Sequence, residues 1–344
     1  MFRENRQHQQ GHLFSTLSEL PPGMRKMLEE SWAGTFRREV FERLDEKPFA
    51  VLYTEGDSRP NVPVNVLLCL EVLKSGFGWT DEQMYEAFVF DLQVRYAVGY
   101  ENLGDGYFAV RTVYHFRERL SQHMQETGEN LMEQAFEQIT DEQLEAFHLS
   151  TDKLRIDSTQ IASDIRTGSR LQLLVEMLGQ VHRMLNEQDQ ERYAELLGPY
   201  VQNKASHYIY RLKRGQDGEK LAAIGPLMHQ LVVELAADYG QEEAYLLLAR
   251  VFTDHFVWNA DELRPKEASE VSADSLQSLD DPEATYRKKQ GESYHGYVSN
   301  VTETCNPEND TQLIVKVQSE PNVTDDEQML VDALPDLIER TDVE

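Results

Sequence analysis

Period-two alternation is rare in this chain, and its rarity limits what the chain can become. Apolar residues recur at helical spacing along most of the 344 residues, whereas alternation with β-branched residues appears in only three places: in KLRIDSTQIA, in YHGYVSNVTETC and in QLIVKVQSEP. Three short strands make one small sheet, so the expected class is α+β, mostly helical. The first strand follows a change of composition near residue 148 and is expected to end around Asp157. The other two come late, separated by the turn NPEND.

The helical part divides accordingly. Leu17, Leu20, Met24, Met27 and Leu28 share one helical face behind Pro21 and Pro22. In PVNVLLCLEVLKSGFGW, Pro63 suits a first turn, and Gly76 with Gly78 ends the run. Thr80 and Gln83 stand at capping-box spacing and open a helix expected to reach Gly99. After the turn ENLGDGYF, a run through residue 139 puts Val113, Phe116 and Leu120 on one face. Residues 1–147 are thus expected to form a helical N-terminal domain, and 148–344 a second domain. The second would contain a helical insertion over about 168–258, an acidic, Ser-rich link over about 259–281, the two late strands and a last helix kinked at Pro335.

Charge bears on partners. The net charge of −28 opposes nucleic acid, because affinity for phosphate comes mainly from Lys and Arg displacing counterions. Residues 1–50, however, balance eight bases against eight acids, so any DNA contact must come from local patches. One is the helix TVYHFRERL, where Arg111, His115 and Arg119 lie at i, i+4, i+8, with Arg117 beside them. The second is Arg287, Lys288 and Lys289, next to Tyr286; the third is Lys204, Arg211, Lys213 and Arg214, interleaved with Tyr208 and Tyr210. Each has an ordinary alternative: a solvated face pairing with acids such as Glu118, or cations snorkelling from a core helix.

Other classes are disfavoured. No apolar run approaches the length of a membrane span, and MFRENRQHQQGHLF has no apolar stretch behind its charges, so a cytoplasmic protein without a membrane partner is expected. Cys69 and Cys305 are too few and too far apart for a disulfide framework or a zinc cluster. His207, His229 and His255 lack ligand spacing, and the turns at Gly104, Gly106 and at Gly215, Gly218 lack a phosphate-loop lysine. Asp152 and Asp164 flank the first strand as solvated or turn residues, while Asp325 and Asp326 read as helix caps. On pattern alone, Asp157 is equally an aspartate bonding to its own turn through Ser158 and Thr159.

Four stretches together resemble bacterial insertion-sequence transposases, which join an InsH-type helical N-terminal domain to a DDE nuclease core of the ribonuclease H fold. They are PVNVLLCLEVLKSGFGWTDEQMYEAFVFDLQVRYAVG, DGYFAVRTVYHFRERL, LRIDSTQI and DPEATYRKKQGESYHGYVSNVTETC. The resemblance implies a DNA-binding N-terminal domain, then an incomplete ribonuclease H-like core interrupted by the helical insertion. It also makes Asp157 the first catalytic aspartate and a ligand of Mg²⁺ or Mn²⁺. The second aspartate and the glutamate of the family are absent, since the chain ends at ERTDVE near where the next strand is expected. The implied function is cleavage and strand transfer at the element's terminal inverted repeats, with this chain a fragment that is inactive alone and does not hold the metal tightly. Its implied partners are DNA and a second copy or the full-length transposase. Two alternatives stay open: a non-catalytic DNA-binding or oligomerising fragment that regulates the full-length enzyme, and a decayed gene product.

Overall fold

The computed structural model describes residues 1–9, 14–54, 60–163, 169–202, 217–289 and 291–343. The molecule divides into two compact units. Unit 1 comprises Met1–Leu154, Glu303–Lys316 and Arg340–Glu344; unit 2 comprises Arg155–Thr302 and Val317–Glu339.

Unit 1 is helical over most of its length: α1 (Pro22–Glu29), α2 (Trp32–Phe36), α3 (Val64–Phe77), α4 (Asp81–Phe90), α5 (Leu92–Ala97), α6 (Arg111–Thr127) and α7 (Leu131–Ala146). Its core gathers Val66, Leu67, Leu70 and Leu73 of α3 with Met84, Phe88, Val113 and Phe116. The capping box at Thr80 and Gln83 forms as expected. The helix it opens does not reach Gly99. Asp91 takes an extended conformation, and its carboxylate accepts from Gln93 N and Val94 N, so one helix ends and α5 begins. The next run is also divided, because Gly128 closes α6 at φ 77° and Asn130 caps α7.

Two buried charges organise this unit. Arg95, 2% exposed, donates to the carbonyls of Phe88, Asn102 and Asp105 and lies between the rings of Phe88 and Tyr100. It thereby fixes the glycine-rich turn, where Gly106 at φ 63° lies so close to Tyr100 that a Cβ would meet its ring at 2.1 Å. Glu46, 3% exposed, accepts from Asn5 N at 2.5 Å and Asn65 N at 3.0 Å, satisfying an orphan donor of α3 behind Pro63. Burial pushes its carboxyl up, against the pull of these backbone donors.

The later segments of unit 1 are held by ions and turns. Lys316 pairs with Glu133 and Glu137 of α7, and Arg340 pairs with Glu137 and Asp141. Asn306 and Asn309 bind Asp152 and the Ser150 carbonyl, clasping the expected turn at 306–310 to residues 150–152.

Unit 2 holds α8 (Arg170–Met184), α9 (Glu187–Arg192), α10 (Ala194–Val201), α11 (Asp217–Tyr239) and α12 (Glu243–His255), which realise the expected helical stretch. Leu174, Met177, Leu178, Ile224, Met228, Leu231, Leu248 and Val251 form their common core. The acidic stretch after them carries more structure than a link. Strands β2 (Phe256–Asn259) and β3 (Glu262–Pro265) pair as an antiparallel hairpin. Beyond it, Leu276 is buried, its amide bonds to Asp254, and Arg250 donates to the carbonyls of Asp274 and Pro282. Acidic, Ser-rich composition signals low hydrophobicity but does not register backbone carbonyls that an arginine can collect.

The sheet consists of β1 (Leu154–Ala162), β4 (Thr285–Lys289), β5 (Glu292–Thr304) and β6 (Ile314–Pro321), with order β1-β5-β4 and β6 also paired to β5. Strand β1 runs past Asp157 to Ala162, so that aspartate is mid-strand and not at a strand end. Ser163 N donates to His295 O and Cys305 N to Lys153 O, an antiparallel register that sets Asp157 opposite Val301. Along its other edge, β5 pairs first with β4, Thr285 opposite Gly296, and then with β6, where Ser299 Oγ donates to Gln318 O. The handover falls at Gly296, whose φ of 135° suits glycine and where a Cβ would meet Ile161 O at 2.4 Å. The last helix, α13 (Asp326–Arg340), is capped by Asp325, which accepts from Gln328 N at 2.8 Å, and includes Pro335.

Candidate catalytic carboxylate and nucleic-acid interface

Asp157 projects from β1 as an exposed side chain, flanked on its own face by Arg155 and Thr159 through the two-residue repeat of the strand. A hard divalent cation needs oxygen donors, and Asp157 offers one carboxylate. Among the described residues no three His, Cys, Asp or Glu side chains come together as a metal-binding group. Another carboxylate on that face is Asp281, which accepts from Ser163 and from Tyr297. Burial works to raise the Asp281 carboxyl, but the two hydroxyls outweigh it and hold it below the usual range. Tyr297 lies opposite Ile161 in the same register, four residues along β1 from Asp157, or about 13 Å at strand rise. The donor type at Asp157 suits Mg²⁺ or Mn²⁺.

The basic candidates fall into groups with different surroundings. On α6, Val113 and Phe116 are buried while Arg111, His115 and Arg119 are exposed, so the expected two-faced helix exists. Arg111 Nε lies 3.2 Å from His115 Nε2, His115 lies 3.3 Å from Glu118, and the Arg119 guanidinium sits 5.1 Å over the Tyr53 ring. Neither Arg111 nor Arg119 is paired with a carboxylate among the described residues, so both cations remain available. Arg117 differs. It forms a two-pronged pair with Glu71 at 2.8 and 3.0 Å and another with Asp81 at 2.9 and 2.6 Å, joining α6 to α3 and α4. The hydrogen bonds from Arg117, and then those from Lys74, hold the Asp81 carboxyl far below its ordinary value.

Arg287, Lys288 and Lys289 occupy β4 itself, opposite Tyr294, Ser293 and Glu292. Arg287 is half-buried and donates to the carbonyls of Asn322 and Thr324 at 3.3 and 3.2 Å. Lys288 and Lys289 are exposed at the turn end of the hairpin. Tyr286 stacks obliquely on His295 at 5.1 Å. The patch at Lys204, Arg211, Lys213 and Arg214 lies outside the described residues, as does Asp164. Of the histidines without ligand spacing, His229 packs between Phe252 and Trp258, and His255 is buried at the end of α12. The Asp281, Ser163 and Tyr297 contact was missed in the sequence, where Ser163 lies 118 positions before Asp281 and no short motif joins the three.

The α3 to α6 portion of unit 1 is where a comparison with known families decides. Residues 26–119 match a family described as Transposase domain (DUF772). The matched transposase domain begins in α1 and ends within α6, taking in Arg111, His115, Arg117 and Arg119. It covers just over a quarter of the chain. No curated protein and no solved structure matches the chain. No described helix is long and apolar enough to cross a membrane.

Proposed function

We propose that the chain is a DNA-binding component of a transposition system, with residues 1–147 carrying affinity for the element's inverted repeats and residues from 148 onward forming part of a ribonuclease H-like nuclease core. The match of residues 26–119 to a transposase domain carries this reading. The order of the sheet supports it: an antiparallel run β1, β5, β6 with a helix following, and Asp157 central in the first strand. Strand β1 has one edge against β5, while Ile156 and Ile161 are 36% and 43% exposed, as on a sheet that further structure would extend.

In this reading Arg111 and Arg119 bind phosphate from the exposed edge of α6, Lys288 and Lys289 add a second contact, and Arg117 positions α6 through its acids. A bound Mg²⁺ or Mn²⁺ would supply charge stabilisation for phosphoryl transfer. Asp157 would contribute one carboxylate oxygen to it. Among the described residues no three carboxylates gather around Asp157, and in this reading the chain acts by binding DNA. That observation also favours the second reading, a DNA-binding or oligomerising protein without nuclease activity that acts on a full-length transposase.

Fluorescence anisotropy with inverted-repeat duplex over a salt series tests the proposal. Binding should weaken steeply with salt, and Arg111→Ala and Arg119→Ala should each reduce the slope of log affinity against log salt by about 1. Wild-type affinity that both substitutions leave intact, or no affinity at low salt, would remove α6 as the interface. Metal-dependent cleavage abolished by Asp157→Ala would instead show that the chain completes its own catalytic site.

A further inference from the structure

The transposase domain carries a second surface whose chemistry is opposite to that of α6. One face of α4, with Gln83, Glu86 and Phe90, borders an open groove of about 570 Å³ together with Trp79, Asp91 and Leu92. The break at Asp91 gives the groove its end wall, since the chain turns there from α4 into α5. Aromatic residues continue from it: Trp79 stacks on Phe77 at 4.5 Å, and Trp32 meets Phe77 edge-on at 5.1 Å. Phe90 is 76% exposed and Phe77 49%. Large apolar rings left in water beside a concavity are what an interaction surface presents, and clustered aromatics supply most of the energy at such surfaces.

The charged residues select the occupant. The groove is lined by Glu86 and Asp91 and by no Lys or Arg, so nucleic acid is repelled from it. A second copy of this chain is disfavoured as well, because 61 acids against 33 bases make most of its surface acidic. A cation beside an apolar anchor satisfies both features: ammonium or guanidinium groups pair with the acids and lie over the indole and phenyl faces. Helix α4 spans ten residues, or about 15 Å, which matches about three turns of a partner helix laid along it. We infer that this groove docks a basic, amphipathic helical segment of another protein, with Phe90 and Trp79 gripping its apolar side and Glu86 and Asp91 its lysines or arginines.

The inference stands apart from the DNA-binding proposal, since it uses none of the α6 cations. Its test uses the full chain and a fluorescein-labelled synthetic helix of about three turns built from Leu, Ala and Lys, with an analogue carrying Glu for Lys. The Lys peptide should bind in the micromolar range and blue-shift tryptophan emission, and the Glu analogue should not bind. Phe90→Ser and Glu86→Lys, both at exposed positions, should each weaken binding by about tenfold or more. Glu191→Lys, the same charge change on α9, should leave it within about twofold. Loss of affinity that is equal for Glu86→Lys and Glu191→Lys, with no effect of Phe90→Ser, would reduce the binding to general attraction by an acidic protein and overturn the inference. Failure of the Lys peptide to bind, or inverted-repeat duplex displacing it from wild type in a manner that Phe90→Ser abolishes, would overturn it too.

Discussion

His255 closes α12 with an imidazole that is 5% exposed and has no hydrogen-bond partner on either ring nitrogen among the described residues. Its carbonyl accepts from the Arg170 guanidinium and from the Lys266 backbone amide, and the charges of both residues act on the ring. Desolvation first, then Arg170 and Lys266, push the imidazole down to about 4. The sign of the pH effect follows. The unfolded chain takes up the proton near the ordinary histidine value of about 6.5, while the folded chain resists it until about 4, so the folded state is fully favoured above about 6.5 and loses up to about 3 kcal/mol as pH falls through that window. Urea midpoints measured from pH 7.5 to 4.5 should fall for wild type and fall distinctly less for His255→Met. Parallel curves would show that folding does not shift the titration of this imidazole. Nothing in the sequence separates this histidine from a surface one. Its setting depends on Arg170 and Lys266, which tertiary packing brings in from 85 positions upstream and 11 downstream.

Helix α6 shows how one element combines two uses of the same residue type. Arg111 and Arg119 face water, whereas Arg117 ties α6 to Glu71 and Asp81 and shares Asp81 with Lys74. Arg117→Ala should therefore lower stability by about 1–2 kcal/mol and leave the salt slope of DNA binding unchanged, the reverse of the two exposed arginines. Thermal melts paired with the anisotropy series separate these roles, and a reduced slope with unaltered melting would make Arg117 a phosphate contact. The buried face of α6 was legible because Val113 and Phe116 repeat at helical spacing, and the start of α4 was legible because its cap is local to Thr80 and Gln83. The break at Asp91 was not, since apolar periodicity continues through it and only the direction of one carboxylate interrupts the helix. The extension of β1 was hidden for a related reason: Ser158, Thr159 and Gln160 suit a turn as well as a strand, and pairing with β5 decides between them.

At the scale of the whole molecule, the dominant quantity is a net charge of −28, the excess left after 33 bases, Lys316 and Arg340 among them, are set against 61 acids. Like charges crowded by folding repel, and salt screens them as the Debye length falls from about 30 Å at 0.01 M to about 8 Å at 0.15 M. Raising sodium chloride over that range should increase Tm by a few degrees even as it weakens DNA binding. A Tm that drops with salt would mean that the ion pairs contribute more than the repulsion removes. Fold class was readable at this scale from the scarcity of alternation. The grouping of late segments with early helices was not, because it rests on Lys316 and Arg340 meeting Glu133, Glu137 and Asp141 across most of the chain.

That grouping bears on the order of events during synthesis. Unit 1 is written in three instalments, and the ribosome must deliver Glu303–Lys316 and Arg340–Glu344 after the whole of the helical stretch between has emerged. The early helices can collapse around α3 as soon as they leave the exit tunnel, but α7 waits with Glu133, Glu137 and Asp141 uncompensated until its two cations are translated. Vectorial emergence thus leaves the acidic face of α7 in water until first Lys316 and then Arg340 have been translated.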